Sequence, residues 1–160
     1  MKVLNIHTRI IQKPKQAVSN LLVSLSTEDD LVWPREKWPA MRFEGDLKVG
    51  AKGGHGPIRY TVEKYNLDEI ILFRFTKPKG FYGIHKIELK EISPTKTEIK
   101  HTIDIKTKGK STFLWVFAIR PLHNALIEDC FDKVENKLTN SQKLSKWNFW
   151  VTFLRNRFKK

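Results

Sequence analysis

The stretch FYGIHKIELKEISPTKTEIKHTIDIKT, residues 81–107, holds two runs of alternating apolar and polar residues on either side of Ser93-Pro94-Thr95. Alternation with period two marks a strand buried on one face, and a Ser-Pro-Thr break of that length turns the chain back on itself. The reading is an antiparallel hairpin with strands near 82–92 and 97–107. Its inward rows are His85, Ile87 and Leu89, and opposite them Ile99, His101, Ile103 and Ile105. The remaining rows carry Lys86, Glu88 and Lys90, and Lys100, Thr102 and Asp104. Pairing Ile87 with His101 puts His85 and His101 on diagonal positions, roughly 7 Å apart at their Cα atoms. Two imidazoles therefore face whatever the hairpin covers.

Upstream lie further strand candidates near 43–49, 57–66 and 69–77, separated by Gly50 to Gly56, Asn66-Leu67-Asp68 and Pro78-Lys79-Gly80. Connections this short suit antiparallel neighbours, because parallel pairing needs long crossovers. In strands 57–66 and 69–77 both faces carry apolar groups. The favoured reading turns Ile58, Tyr60, Val62, Ile70, Leu72 and Arg74 inward; the opposite one buries Ile71, Phe73 and Phe75 and sends Arg74 to solvent. At the start of the chain, Val3 to Ile11 alternates Leu4, Ile6, Thr8 and Ile10 with Asn5, His7 and Arg9, a half-buried strand. Pro14 opens an amphipathic helix carrying Ala17, Val18, Leu21, Leu22 and Leu25. Ser26, Thr27, Asp29 and Asp30 suit a second brief helical turn, and Trp33-Pro34 and Trp38-Pro39 then forbid regular helix. From Ser111 to about Leu138 apolar residues recur at helical spacing, with Pro121 as a kink or second start. The fold class is α+β: about six curved antiparallel strands, two short helices after the first, and a long C-terminal helix over the concave face with a hollow beneath it.

The whole chain has 160 residues, one cysteine (Cys130) and a net charge of +13. One domain is the default at that size, and a lone cysteine excludes an internal disulfide and a Cys-rich zinc module. Charge-free runs such as Ser111 to Ile119 are about half of the roughly 20 residues a membrane-spanning helix requires. Lys2, His7 and Arg9 interrupt the first apolar run, so it does not read as a signal peptide, and the cytoplasm is the expected compartment. Six of the basic residues lie in the acid-free segment 140–160, so nearly half of the net charge belongs to the tail.

A specific resemblance rests on Trp33-Pro34, Trp38-Pro39, Met41-Arg42-Phe43, the run Gly53 to Tyr60, Phe73-Arg74-Phe75, Gly80-Phe81, Gly83, His85, His101 and Arg120-Pro121-Leu122-His123. With these, residues 1–138 resemble a subgroup of the START-like superfamily, also called SRPBCC, which includes polyketide cyclases, lipid-transfer domains and birch-pollen-allergen proteins. The resemblance implies a helix-grip fold over residues 1–139, followed by a separate tail, 140–160. It also implies an apolar cavity for a small hydrophobic or amphipathic ligand such as a lipid or polyketide. No catalytic set is carried over by it.

Candidate ligand-binding residues are Trp33, Trp38, Met41, His55, Tyr60, Arg74, Phe81, His85, His101, Trp115, Ile119 and His123. Arg74 in the inward phase suits a carboxylate or enolate, and His55 hangs from a glycine-rich turn without the GxGxxG spacing of a dinucleotide loop. There is no GxSxG elbow and no HxH or HExxH spacing, so neither a serine nucleophile nor a metal is expected, and no cofactor is called for. The enzyme reading that survives is general acid-base work by His85 or His101, with simple binding favoured over it.

In the tail, Trp147, Trp150, Val151, Leu154 and Phe158 form one helical stripe and Asn148, Thr152, Arg155 and Lys159 the other. A cationic amphipathic helix suits an anionic membrane surface through residues 145–160. The stripe suits the domain's own surface or a second copy in a homodimer better still, because Trp and Phe stripes are more often buried in protein than in lipid. Nucleic acid lacks any recognition motif here.

Overall fold

The computed structural model describes residues 1–158; Lys159 and Lys160, assigned above to the basic tail, lie outside the described residues. Strand β1 (Lys2–Ile11) is followed by a single helix, α1 (Lys15–Leu22), and a long irregular connection. Six strands then follow: β2 (Arg42–Phe43), β3 (Lys52–His55), β4 (Ile58–Asn66), β5 (Ile70–Lys77), β6 (Phe81–Ser93) and β7 (Lys96–Thr107). They form one antiparallel sheet in the order β1-β7-β6-β5-β4-β3-β2. The closing helix runs without a break from α2 (Lys110–Leu114) through a π-helical turn (Trp115–Ile119) into α3 (Arg120–Thr139), and α4 (Phe149–Arg157) is the last element among the described residues.

The hairpin of residues 81–107 forms as its alternation predicts, with Ile87 opposite His101 in the register. Four expectations change. The strand placed at 43–49 shrinks to Arg42–Phe43, and the glycine-rich run contributes a strand of its own, β3, bringing the total to seven. Glycine is required there by close approach, since a Cβ on Gly53 would lie 2.3 Å from the Arg42 carbonyl oxygen and 2.5 Å from the Phe43 ring. The second helical turn at 26–30 does not form. Instead the buried Asp30 carboxylate accepts the backbone N–H groups of Ser26, Val32 and Trp33 at 2.7, 2.9 and 2.7 Å and folds the connection around itself.

Strand β5 takes the opposite phase to the favoured one: Ile71 and Phe73 are buried and Arg74 is exposed. Antiparallel partners share a face, and the register puts Phe75 opposite Tyr60 and Phe73 opposite Val62. Outward-facing Arg74 pairs with Glu63, so the guanidinium keeps both water and a carboxylate. On β1 the apolar row faces outward, with Leu4 and Ile6 at 62% and 50% exposure. The polar row faces α3: Asn5 bonds Asn124 at 3.1 Å, His7 Nδ1 lies 2.8 Å from Glu128, and Arg9 donates to Glu128, Asp132 and Glu135 at 2.9 to 3.1 Å. Positions 124, 128, 132 and 135 share one face of α3, so this edge of the grip is a polar zipper, not a greasy seam.

At Pro121 the missing N–H leaves the carbonyl of Phe117, four residues earlier, without its helical partner. The helix widens into the π turn just before it, and the indole of Trp150 donates to that carbonyl at 2.8 Å. The tail is thus fastened to the kink. It is fastened again at Asp129, whose buried carboxylate accepts Lys37 Nζ at 2.7 Å, Trp38 Nε1 at 2.8 Å and Trp147 Nε1 at 2.9 Å. Val151 and Leu154 are buried beneath α4, and Arg155 lies over the Trp38 ring, 5.5 Å from its centroid. No helix among the described residues is long and apolar enough to cross a membrane.

Removing the Asp129 carboxylate leaves a lysine and two indole N–H groups facing no acceptor. Asp129→Ala is expected to cost about 3 to 5 kcal/mol, read as a shift in the midpoint of urea unfolding. Asp129→Asn, which keeps one acceptor oxygen, is expected to lose distinctly less.

Candidate functional site

The concave face of the sheet is paved by its inward rows, and α3 crosses it, so the space between is closed by side chains of both. That space is a cavity of about 610 Å³. Its floor is Phe73, Phe75, His85, Ile87, Ile99, His101 and Ile103; its roof is Trp115, Ala118, Ile119, Leu122, His123, Leu126, Cys130 and Phe131. The connection of residues 32–41 supplies Trp33, Trp38 and Met41 as one wall. The Gly56-Pro57 turn holds His55 beside Trp33, the ring centroids 4.7 Å apart. Leu114 and Phe158 line the cavity while remaining 43% and 58% exposed, which places them at its mouth.

All of the candidate residues except Tyr60 and Arg74 line this space. Tyr60 stands one layer behind, edge-on to His85 at 4.6 Å, with its hydroxyl 3.1 Å from His55 Nδ1. Arg74 is on the far side of the sheet, and its role as an anion anchor is withdrawn with the change of phase. Sequence reasoning missed Phe73 and Phe75, which belong to the alternative phase of β5. It also missed Arg155 and Phe158, because the tail stood outside the resemblance. The signal for Arg155 and Phe158 was present: Trp147, Val151, Leu154 and Phe158 repeat at three-to-four spacing and need an apolar partner.

The polar content of the cavity is imidazole. His85 Nδ1 and His101 Nε2 are 3.4 Å apart, and His101 and His123 have ring centroids 4.9 Å apart. His123 lies 6.0 Å from His7, which reaches Glu128. His85, His101, His123 and His7 thus form a chain of neighbouring rings that ends at Glu128 on α3, and His55 joins it through Tyr60. His85 is packed between Phe73, at 4.6 Å and nearly parallel, and Phe75 and Tyr60. The Nε2 of His85 and the Nδ1 atoms of His101 and His123 are buried without a partner.

Burial sets the charge state. Desolvation pushes His85, His101 and His123 well below the ordinary histidine range, and neighbouring imidazoles push the same way. Desolvation and the Arg59 guanidinium bring His55 down to about 4. Tyr60 and Cys130 are pushed up, again chiefly by burial. At neutral pH the cavity therefore holds uncharged imidazoles, an uncharged phenol behind them and an uncharged thiol. The His85–His101 contact leaves room for one proton between the rings. Whichever ring donates, the pair keeps one N–H and one lone pair on its two outer nitrogens.

No protein-family model matches the chain, and no curated protein matches it. Solved structures do. A protein of Thermobifida fusca superposes with a TM-score of 0.66 at 9% identity, covering 91% of this chain and 99% of its own. Norcoclaurine synthase from Thalictrum flavum gives 0.64 at 12% identity, covering 89% and 96%. A START superfamily protein from Mycobacterium smegmatis gives 0.56 at 8% identity, covering 86% and 97%. At such identities the likeness is one of fold, and the fold is START-like, a curved antiparallel sheet gripping a long C-terminal helix.

The depressed histidines give stability a pH signature. A histidine neutral when folded and titrating near 6.5 when unfolded binds its proton more readily in the unfolded chain. Its contribution is then complete above about 6.5 and drains away as the pH falls towards the folded value. Unfolding free energy is expected to drop between pH 6.5 and about 4, the latter being where His55 titrates. The ion-paired Asp132 and Glu135, held below their ordinary values, add losses only below about 4.5. Urea titrations across this range check it, and His101→Gln is expected to flatten the upper part of the slope.

Proposed function

We propose, from a START-like fold closed around a chamber lined by apolar side chains and neutral imidazoles, that the protein binds a small hydrophobic or amphipathic molecule between sheet and closing helix. The observation that carries this reading is the chamber itself. About 610 Å³ of space among Trp, Phe, Ile and Leu side chains is far more than a close-packed interior leaves empty, and it falls within the range of small-molecule sites. Desolvating an apolar body there is favourable at roughly 25 cal/mol per Å² buried. The uncharged imidazoles tolerate that body and offer hydrogen bonds to a weakly polar end. Norcoclaurine synthase, of the same fold, has been solved in complex with dopamine and hydroxybenzaldehyde, which supports an aromatic or amphipathic guest of similar bulk. The expectation of an anion anchored by Arg74 plays no part in this reading.

A second reading is favoured by the His85–His101 pair. Two neutral rings sharing one proton can accept a proton at one outer nitrogen while releasing one at the other, which is the requirement for moving a proton between two positions of an enolisable guest. This requires the outer nitrogens, His85 Nε2 and His101 Nδ1, both buried without a partner, to become accessible when a guest enters. The enzyme reading is of cyclase, isomerase or hydrolase type, with the same chamber as its site.

The binding reading is tested by fluorescence titration with 1-anilinonaphthalene-8-sulfonate and by native mass spectrometry of protein from its own host. Leu122→Trp, which adds an indole to the roof, is expected to weaken probe binding at least tenfold, on the order of 1.4 kcal/mol, without lowering the melting temperature. A wild-type protein that neither takes up the probe nor retains any molecule overturns the reading. For the second reading, His85→Asn and His101→Asn are expected to leave the affinity for a captured molecule nearly intact while abolishing its conversion. Absence of conversion by the wild type leaves binding as the function.

A further inference from the structure

The tail helix has more apolar surface than the domain takes up. Val151 and Leu154 are buried, yet Phe149 is 84% exposed, and Trp150 and Phe153 stack together, 44% and 49% exposed, on the side turned away from the core. The same excess appears on the segment that α4 is fastened to. Phe113, Val116 and Phe117, spaced along one face of α2 and the π turn, are 68%, 39% and 59% exposed. The two sets are neighbours: Trp150 donates to the Phe117 carbonyl, and Leu114 and Phe158 both line the cavity. Isolated surface aromatics need no explanation, but a contiguous cluster drawn from two segments costs solubility and marks an interaction surface.

Charge identifies the partner. Between Asp104 and Glu128 there is no acid, and the residues present include Lys106, Lys108, Lys110 and Arg120. After Glu135 there is again none, while Lys137, Lys143, Lys146, Arg155 and Arg157 follow. Both aromatic segments therefore sit in basic, acid-free stretches, although acids are plentiful elsewhere in the chain. A Trp and Phe cluster on segments whose only charged residues are Lys and Arg matches the interface of an anionic bilayer, where aromatic rings settle at headgroup depth and each nearby cation adds electrostatic attraction.

We propose that the exposed aromatic faces of residues 113–117 and 149–153 form one surface that docks the protein on anionic membranes. This extends beyond the amphipathic tail alone. The tail's Val151 and Leu154 are already engaged with the domain, and the docking face is the opposite side of α4 joined to the kinked end of the closing helix.

The test is co-sedimentation of the full chain with phosphatidylcholine vesicles, plain or containing about a third phosphatidylserine. The variants are Phe113→Glu and Phe153→Glu, each on an exposed side chain, with thermal melts as a control for folding. Wild type is expected to sediment with the anionic vesicles only, and to be released as salt rises from about 0.1 M to about 1 M, where the screening length shrinks from about 10 Å to about 3 Å. Each single variant is expected to lower the partition coefficient about tenfold, and the double variant more than either. Failure of the wild type to bind anionic vesicles overturns the proposal. So does binding that Phe153→Glu abolishes and Phe113→Glu leaves untouched, which would assign it to the tail alone. A dimer seen by light scattering and split by either variant overturns it too, in favour of a second copy of the chain as the partner.

Discussion

The cavity keeps its shape because one buried carboxylate has three partners. Asp129 sits on the inner face of α3 and accepts from Lys37 and Trp38 of the connection and from Trp147 of the tail. Each bond ties a segment without regular structure of its own to the most regular element of the molecule. The connection that walls the chamber is thereby held at a fixed distance from the roof, and the tail is drawn across both. A buried charge is tolerable only when its partners are complete, so the three segments must be placed together. Asp30, gathering three backbone N–H groups, does the same for the first half of the connection.

Much of this was legible in the sequence where apolar periodicity speaks alone. The hairpin of β6 and β7, its register and the inward histidines follow from alternation, since Lys86, Glu88 and Lys100 leave only one face to bury. Where alternation left the choice of face open, partners distant in sequence decided it. On β1 the inward row of half-buried Asn5, His7 and Arg9 is satisfied by Asn124 and the acids of α3, while Leu4 and Ile6 stay in water. The partner row is separated by more than a hundred residues, so no local window contains both halves of the zipper. On β5 both rows are apolar enough to bury, and the phase is set by pairing with β4, where irregular register decides which residues meet. The site inherited the second effect: Arg74 was lost to the outer face, and Phe73 and Phe75 were gained.

Inside and outside have opposite electrostatic characters. The chain carries a net charge of +13, yet among the described residues Arg155 is the one side chain lining the chamber that is charged at neutral pH. The imidazoles are kept neutral by the same loss of water that makes the space favourable to an apolar guest, and the aromatic rings stacked on His85 reinforce it. Polarity without charge lets one interior combine apolar contact with hydrogen-bonding capacity.

Cys130 is the chain's only thiol, and it looks into the chamber from the roof while shielded from solvent. Burial disfavours its thiolate, and the thiolate is the form that an alkylating reagent attacks. The thiol can therefore react only in those moments when the helix lifts or the mouth parts. Its alkylation half-time is a built-in stopwatch for the breathing of the fold, and a lodger in the chamber would slow the stopwatch without any dye or label being attached.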